Sequence, residues 1–129
     1  MIKSFLIGEV INELLTSNEE LKEILGIKVY PLVASEGSTF PFIVYKRLGV
    51  SSNGTKDGYH EDTVEFQITI LSETYSQSID IAQLVRGILE RETIKTDTLE
   101  LTDCHVMSAS EEYQDNTYIQ QINFITKVN

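Results

Sequence analysis

Histidine and acidic side chains meet at one point in this chain, where His60, Glu61 and Asp62 are consecutive. Imidazole and carboxylate groups can bind a metal ion together or act as an acid–base pair. However, neighbouring residues of an extended chain point to opposite sides, and no second histidine lies at ligand spacing. The pattern therefore favours a loop histidine, and we expect neither a metal site nor a catalytic pair here.

Cys104 and His105 form the other adjacent pair that could supply a nucleophile and its base. On a strand their side chains point to opposite faces, so the imidazole could not activate the thiol. Cys104 is the single cysteine of the chain, cannot form an intramolecular disulfide, and is predicted to be a small core or half-buried residue. Glu111 and Glu112 are also neighbours that do not converge. We therefore predict a protein that is not an enzyme and that binds no cofactor or metal.

The net charge limits the classes of partner that the protein could bind. The chain carries 20 acidic and 10 basic residues and a formal charge of −10. Phosphate binding needs lysine and arginine to displace counterions, so we expect no specific nucleic-acid binding. The charge also disfavours anionic membranes, and no run approaches the roughly 20 apolar residues of a membrane span. Glu9 and Glu13 lie in the first apolar segment, which does not resemble a secretory signal. We expect a protein made in the cytoplasm.

Two helices are predicted before the first strand. Apolar residues spaced by three and four predict an N-terminal helix over Met1–Leu15, which Gly8 weakens by about 1 kcal/mol relative to alanine. A short second helix follows, with Ser17 or Asn18 as its N-terminal cap. Acidic residues directly after this cap favour the positive end of that helix.

A third helix, which is amphipathic, is predicted from Ser76 to Arg91. The spacing of Thr74 and Gln77 is that of a capping box at its start. Gly87 lowers the helix propensity, and we interpret it as a point where another backbone approaches closely.

Strands account for most of the remaining apolar residues. The predicted strands are Val29–Pro31, Phe42–Leu48, Asp62–Leu71, Leu99–Ala109 and Thr117–Val128, with Glu111–Asn116 as a polar turn before the last one. In the third of them Val64, Phe66, Ile68 and Ile70 alternate with polar residues, so one face is predicted to be core. The whole chain, residues 1–129, is predicted to be one α+β domain. It has a mainly antiparallel sheet of about four to five strands, with the N-terminal and amphipathic helices packed on one face.

A polar segment, residues 49–60, joins the second and third predicted strands. Two to five residues suffice to turn a hairpin, so a tip of this length suggests a use. We expect it to be mobile in an isolated subunit and to order against a partner, because it cannot offset its ordering entropy by burial. The candidate contact residues are Val50, Asn53, Lys56, Asp57, Tyr59 and His60. A small adaptor that grips another protein with this tip is therefore one interpretation of the chain.

The order and spacing of these pieces resemble the tail-completion (tail-terminator) family of long-tailed bacteriophages and prophages. The matching pieces are the N-terminal helix ending at Leu14-Leu15, Ile27–Pro31, Pro41–Tyr45, the polar segment 49–60, Val64–Ile68 and the helix containing Ile81–Leu89. The resemblance covers about residues 1–90, and the last two strands match by pattern alone.

The resemblance implies a structural protein of the virion tail, at the junction between head and tail. It implies a ring, commonly six-fold, that caps the finished tail tube and offers a surface to the head connector; such a ring is heterologous and must close. The implied partners are further copies of this chain, the tail-tube protein and the head-closure or connector protein. A monomer in isolation is compatible with this role. An acidic ring would repel DNA and let it slide past.

Overall fold

The computed structural model describes residues 2–54 and 60–129. Within these ranges a 3₁₀ turn, Ser4–Leu6, precedes three helices: α1 (Ile7–Ser17), α2 (Glu19–Leu25) and α3 (Tyr75–Leu89). The strands are β1 (Val29–Pro31), β2 (Phe42–Gly54), β3 (His60–Ser72), β4 (Arg91–Lys95), β5 (Glu100–Gln114) and β6 (Thr117–Val128).

The strands form one mixed sheet in the order β1-β2-β3-β6-β5-β4. β1 runs parallel to β2, and every other neighbouring pair is antiparallel. The predicted α+β class is confirmed, but the prediction of four to five strands was too low, since the described residues form six. The strand missed is β4, in which Ile94 alone is buried, so it gives no alternation to detect.

The core lies between the three helices and one face of the sheet, which we call the covered face. As predicted, Val64, Phe66, Ile68 and Ile70 of β3 point into it and are fully buried. The rings of Phe66 and Phe124 stack across the β3–β6 pair with centroids 5.2 Å apart. The alternate residues of the same strands form the opposite, open face, where polar side chains such as Gln67 are half-exposed.

Helices α2 and α3 are capped at the predicted residues, but the capping box at Thr74 is incomplete, since the Thr74 N–H donates to the Ser72 hydroxyl and not to Gln77. The Asn18 side chain accepts a hydrogen bond from the Leu21 amide at 3.0 Å, and Thr74 accepts one from Gln77 at 3.3 Å. The prediction that the first helix begins at Met1 was wrong, because a 3₁₀ turn precedes α1, which begins at Ile7.

The helical glycines have opposite surroundings. A Cβ at Gly8 would lie 3.2 Å from Cε2 of Tyr45, so the missing side chain lets α1 approach β2. A Cβ at Gly87 would meet no atom within 4 Å, and the interpretation of Gly87 as a close-approach position was wrong.

The last hairpin is longer than the sequence indicated. β5 continues to Gln114, so the predicted polar turn over Glu111–Asn116 was wrong in its extent. The turn consists of Asp115 and Asn116, whose φ angles are +52° and +61°. Left-handed backbone at both positions matches the twist of the flanking strands, and aspartate and asparagine tolerate it better than most residues.

Candidate assembly interface

The side chains that could have done chemistry do not converge. Among the described residues no group of three or more histidine, cysteine or acidic side chains could hold a metal ion. Cys104 is buried in the core as predicted, and burial raises its pKa to about 12. His105 is exposed, with Nδ1 2.9 Å from the carbonyl oxygen of Asp103. Within the same ranges, no helix has the length and apolar character to cross a membrane.

Glu61 and Asp62, the acidic residues beside His60, contact other parts of the fold. Asp62 accepts a hydrogen bond from the Ser4 hydroxyl at 2.6 Å, which ties the N-terminal turn to β3. The adjacent Glu61 is paired through the strand ladder with Asn53. Asp62 therefore has a partner that explains its position without a ligand.

The predicted polar segment 49–60 begins later than expected. β2 continues to Gly54 and pairs residue by residue with β3, from Val50 opposite Val64 to Gly54 opposite His60. The prediction of a loop from residue 49 was therefore wrong, because ladder hydrogen bonds order a segment whose side chains give no apolar signal.

The six candidate contact residues fall into three groups. Val50 is half-buried and packs against the core. The backbones of Asn53 and His60 lie in the β2–β3 ladder, and their side chains lie outside the described part of the chain. Lys56, Asp57 and Tyr59 also lie outside the described residues. Their proposed contact role stays a prediction.

β5 presents a free strand edge. β4 pairs with β5 only from Glu100 to Cys104. The Glu90 carboxylate then accepts the Val106 N–H at 2.9 Å and ends the pairing on that side. From Met107 to Gln114 every residue is exposed, and no described strand lies on that side. Unpaired backbone along such an edge can add a strand from another chain.

β2 presents a second free edge at the other end of the strand order. β1 pairs with β2 only as far as Pro31 opposite Tyr45. The Leu32 N–H then donates to the Tyr45 carbonyl at 2.8 Å. From Lys46 to Gly54, no described strand pairs with β2 on that side. The sheet therefore ends in two unpaired segments that belong to different strands.

Charged side chains on both edges are held in place. On β5, Glu111 accepts hydrogen bonds from Gln120 Nε2 at 3.0 Å and from the Tyr75 hydroxyl at 2.9 Å. These hydrogen bonds, from Gln120 first and then from Tyr75, lower the pKa of Glu111. On β2, Arg47 donates to the Phe5 carbonyl at 3.1 Å, and its guanidinium carbon lies 4.2 Å from the centre of the Phe5 ring.

Aromatic groups accompany the charges on both edges. Beside the β5 edge, the rings of Tyr113 and Tyr118 have centroids 4.7 Å apart, and Tyr113 is 58% exposed. Beside the β2 edge, a shallow cleft of about 310 Å³ is lined by Phe5, Leu32 and Arg47, among others. Exposed tyrosine, phenylalanine and arginine side chains are enriched in protein interfaces.

The open face of the sheet is a further exposed surface. Gln67 donates to Asn123 at 3.0 Å, and Asn123 donates to Ser108 at 3.0 Å, so a chain of amide and hydroxyl groups crosses three strands. Near β1, Phe42 stacks on Phe40 with centroids 5.3 Å apart. Gln67, Asn123 and Ser108 therefore have hydrogen-bond partners within the chain.

The two free edges were missed from the sequence. Residues 108–114 are exposed on both faces, so they show no alternation and were assigned in part to a turn. Adjacent like charges at Lys46-Arg47 and Glu111-Glu112 were the available signal, since each pair lies in or beside a predicted strand.

One comparison with known proteins identifies a family, and a second shows a shared fold. The family model for tail completion protein gp17 matches residues 9–128, and no curated protein sequence matches significantly. A chain from the virion of a native gene transfer agent particle matches with a TM-score of 0.79 and 14% identity, over 95% of this chain and 93% of that one. A second solved structure matches with a TM-score of 0.69 and 10% identity, over 100% of this chain and 97% of that one. The chain therefore belongs to the tail completion protein gp17 family, whose place is the virion tail.

Proposed function

We propose that this protein closes the end of the tail tube as a ring of identical subunits and joins the tube to the head connector. The observation that carries this proposal is the family match, which extends over residues 9–128 and so over both hairpins, α2, α3 and most of α1. The likeness of the fold to a chain of a gene transfer agent virion supports a place in a tailed particle.

The shape of the sheet supports ring formation. A ring of identical subunits needs two different surfaces on each subunit, one to meet each neighbour. Free strand edges on β2 and β5 lie on opposite sides of the strand order and carry different side chains. One subunit therefore has the two unlike surfaces that a heterologous contact requires.

The remaining partners would contact surfaces outside the ring interface. We assign the tail-tube protein and the head-closure protein to this role, with the β2–β3 tip as a contact for one of them. Ordering of that tip against a partner is the function we propose for Lys56, Asp57 and Tyr59. Catalysis has no place in this role.

The charge of the ring suits a passage for DNA. With 20 acidic and 10 basic residues, the subunit has few groups to hold phosphates. We expect negligible binding of the purified protein to a fluorescent duplex at physiological salt, measured by anisotropy. Micromolar affinity with a steep salt dependence would contradict this part of the proposal.

Deletion of the gene from the phage or prophage that carries it tests the function. We expect electron micrographs to show heads and tails that are separate, and normal particles once the wild-type gene is supplied in trans. A Glu65→Ala variant should restore joining equally, because Glu65 lies on the open face away from both edges. Normal, infectious particles without the gene would refute the proposal.

A further inference from the structure

The two free edges carry matched pairs of opposite charge. On the β5 edge the pair is Glu111-Glu112, and on the β2 edge it is Lys46-Arg47; the four residues are exposed. Glu112 and Lys46 make no hydrogen bond or ion pair within the described part of the chain. We propose that neighbouring copies in the ring pair these edges, β5 of one copy against β2 of the next. This inference rests on the ring proposed above.

The faces on which the charges lie agree with this pairing. Across the ladder Glu112 is level with Ile119 and Leu71 on the open face, and Lys46 is level with Gln67 on the same face. Glu111 and Arg47 point to the covered face, where they contact Gln120 and Phe5. If the faces of two sheets continue into each other, each acid meets a base on its own side.

The strand directions agree as well. Successive antiparallel pairs β2–β3, β3–β6 and β6–β5 make β2 and β5 run in opposite directions within one copy. A neighbour related by rotation about an axis near the strand direction therefore brings its β2 antiparallel to β5. In an antiparallel pair, the register that sets Glu112 opposite Lys46 also sets Glu111 opposite Arg47.

Both edges are limited at one end, which narrows the possible registers to those within the free segments. Glu90 occupies the Val106 N–H, so strand addition to β5 begins after that residue. On β2, addition begins after Tyr45, whose carbonyl is taken by Leu32. The charged pairs lie at the far end of the free β5 segment and at the start of the free β2 segment. Opposite charges directly across an antiparallel pair stabilise it, and like charges destabilise it.

This pairing also predicts how subunits are inclined. Within one sheet Glu112 is level with Phe42, through Ile119 and Leu71. In the proposed pairing Glu112 is level with Lys46 of the next copy, four residues beyond Phe42. The next copy is therefore shifted by four residues, about 13 Å along the strands. A closed ring accommodates such a stagger by tilting its strands relative to the ring axis, as closed barrels do.

Charge reversal tests the pairing on the full chain. We expect K46E and E112K each to weaken self-association by at least about tenfold, since like charges would then face each other. The double variant, and an equimolar mixture of the two single variants, should recover it. In the mixture each altered edge finds a complementary one in an alternating ring. Sedimentation velocity over a range of protein concentration and salt measures these effects.

Matched controls separate the pairing from a general charge effect. K22E and E23K make the same changes of charge on the exposed side of α2 and should leave association unchanged. Thermal unfolding by circular dichroism should be the same for all four single variants and the wild type.

The outcomes distinguish this inference from the proposed function. Rings that form equally well with K46E and E112K would overturn the edge pairing and leave the ring intact. Open filaments that the same variants abolish would support the pairing and contradict ring closure. If the wild-type chain is a monomer in solution, which the proposed role allows, the same variants are compared by head–tail joining when supplied in trans; full joining by both K46E and E112K would then overturn the edge pairing.

Discussion

The covered and open faces of the sheet are made of alternate residues of the same strands, yet they differ in almost every physical respect. On the covered face, Phe66 and Phe124 stack out of contact with water. On the open face, Gln67, Asn123 and Ser108 are joined by hydrogen bonds. Burial of apolar area stabilises the first face, whereas exchange of hydrogen bonds with water leaves the second with little net contribution. Stability is therefore concentrated on the covered face.

The reactivity of a thiol on each face is the largest expected contrast. Burial raises the pKa of Cys104 to about 12, against an ordinary value of 9.0, so its thiolate fraction at neutral pH falls about a thousandfold. A thiol reagent should label native Cys104 at least that much more slowly than the unfolded chain. A Ser108→Cys variant, with its new thiol on the open face, should gain one rapidly labelled site. Rapid labelling of wild-type Cys104 would contradict the assignment.

Truncation of one side chain on each face compares directly how much the two faces contribute to stability. Phe66→Ala should reduce the free energy of unfolding by roughly 3–5 kcal/mol, because it leaves a cavity in the core. Gln67→Ala, at the next position on the open face, should cost less than about 1 kcal/mol. Urea unfolding followed by circular dichroism gives both values. Equal losses would mean that the open face also contributes to the core.

Addition of a methyl group tests how closely α1 packs on the covered face. Gly8→Ala gains about 1 kcal/mol of helix propensity, but overpacking against Tyr45 costs about 1–3 kcal/mol. We expect a net loss of up to about 2 kcal/mol. Gly87→Ala is the matched control; it should stabilise by about 0.5–1 kcal/mol, because its surroundings are open. Thermal melts that show stabilisation by both variants would place α1 farther from β2.

The smallest expected effect concerns Glu90 at the β5 edge. Hydrogen bonds, from the Val106 backbone first and then from Arg86, lower the pKa of Glu90. A lowered folded-state pKa contributes stability above the unfolded value of 4.5, and that stability is lost as the pH falls through the folded value. Because Glu90 is a third exposed, we expect less than about 1 kcal/mol. Glu90→Gln should lower stability at neutral pH and converge with the wild type in acid; a constant difference from neutral to acid pH would contradict this.

A strand could be predicted from the sequence where one of its faces is buried and the other is exposed. The alternation in β3 was correctly predicted because Val64 and its inward neighbours contrast with polar residues. The end of β5 was missed because residues 108–114 are exposed on both faces, and β4 because Ile94 is its one buried residue. The charged pairs Lys46-Arg47 and Glu111-Glu112 are visible in the sequence. That they lie on the two opposite edges of the sheet depends on the strand order, which brings together residues far apart in the chain.

That strand order also has a kinetic consequence. The β2–β3 and β5–β6 hairpins each join strands that are neighbours in sequence, whereas the β3–β6 ladder between them joins residues such as Gln67 and Asn123, which are 56 positions apart. Contacts of such high sequence separation form slowly, because the intervening chain must be closed into a loop first. We therefore expect the two hairpins to form fast and the β3–β6 ladder to form slowly. The Phe66–Phe124 stack belongs to this slow ladder.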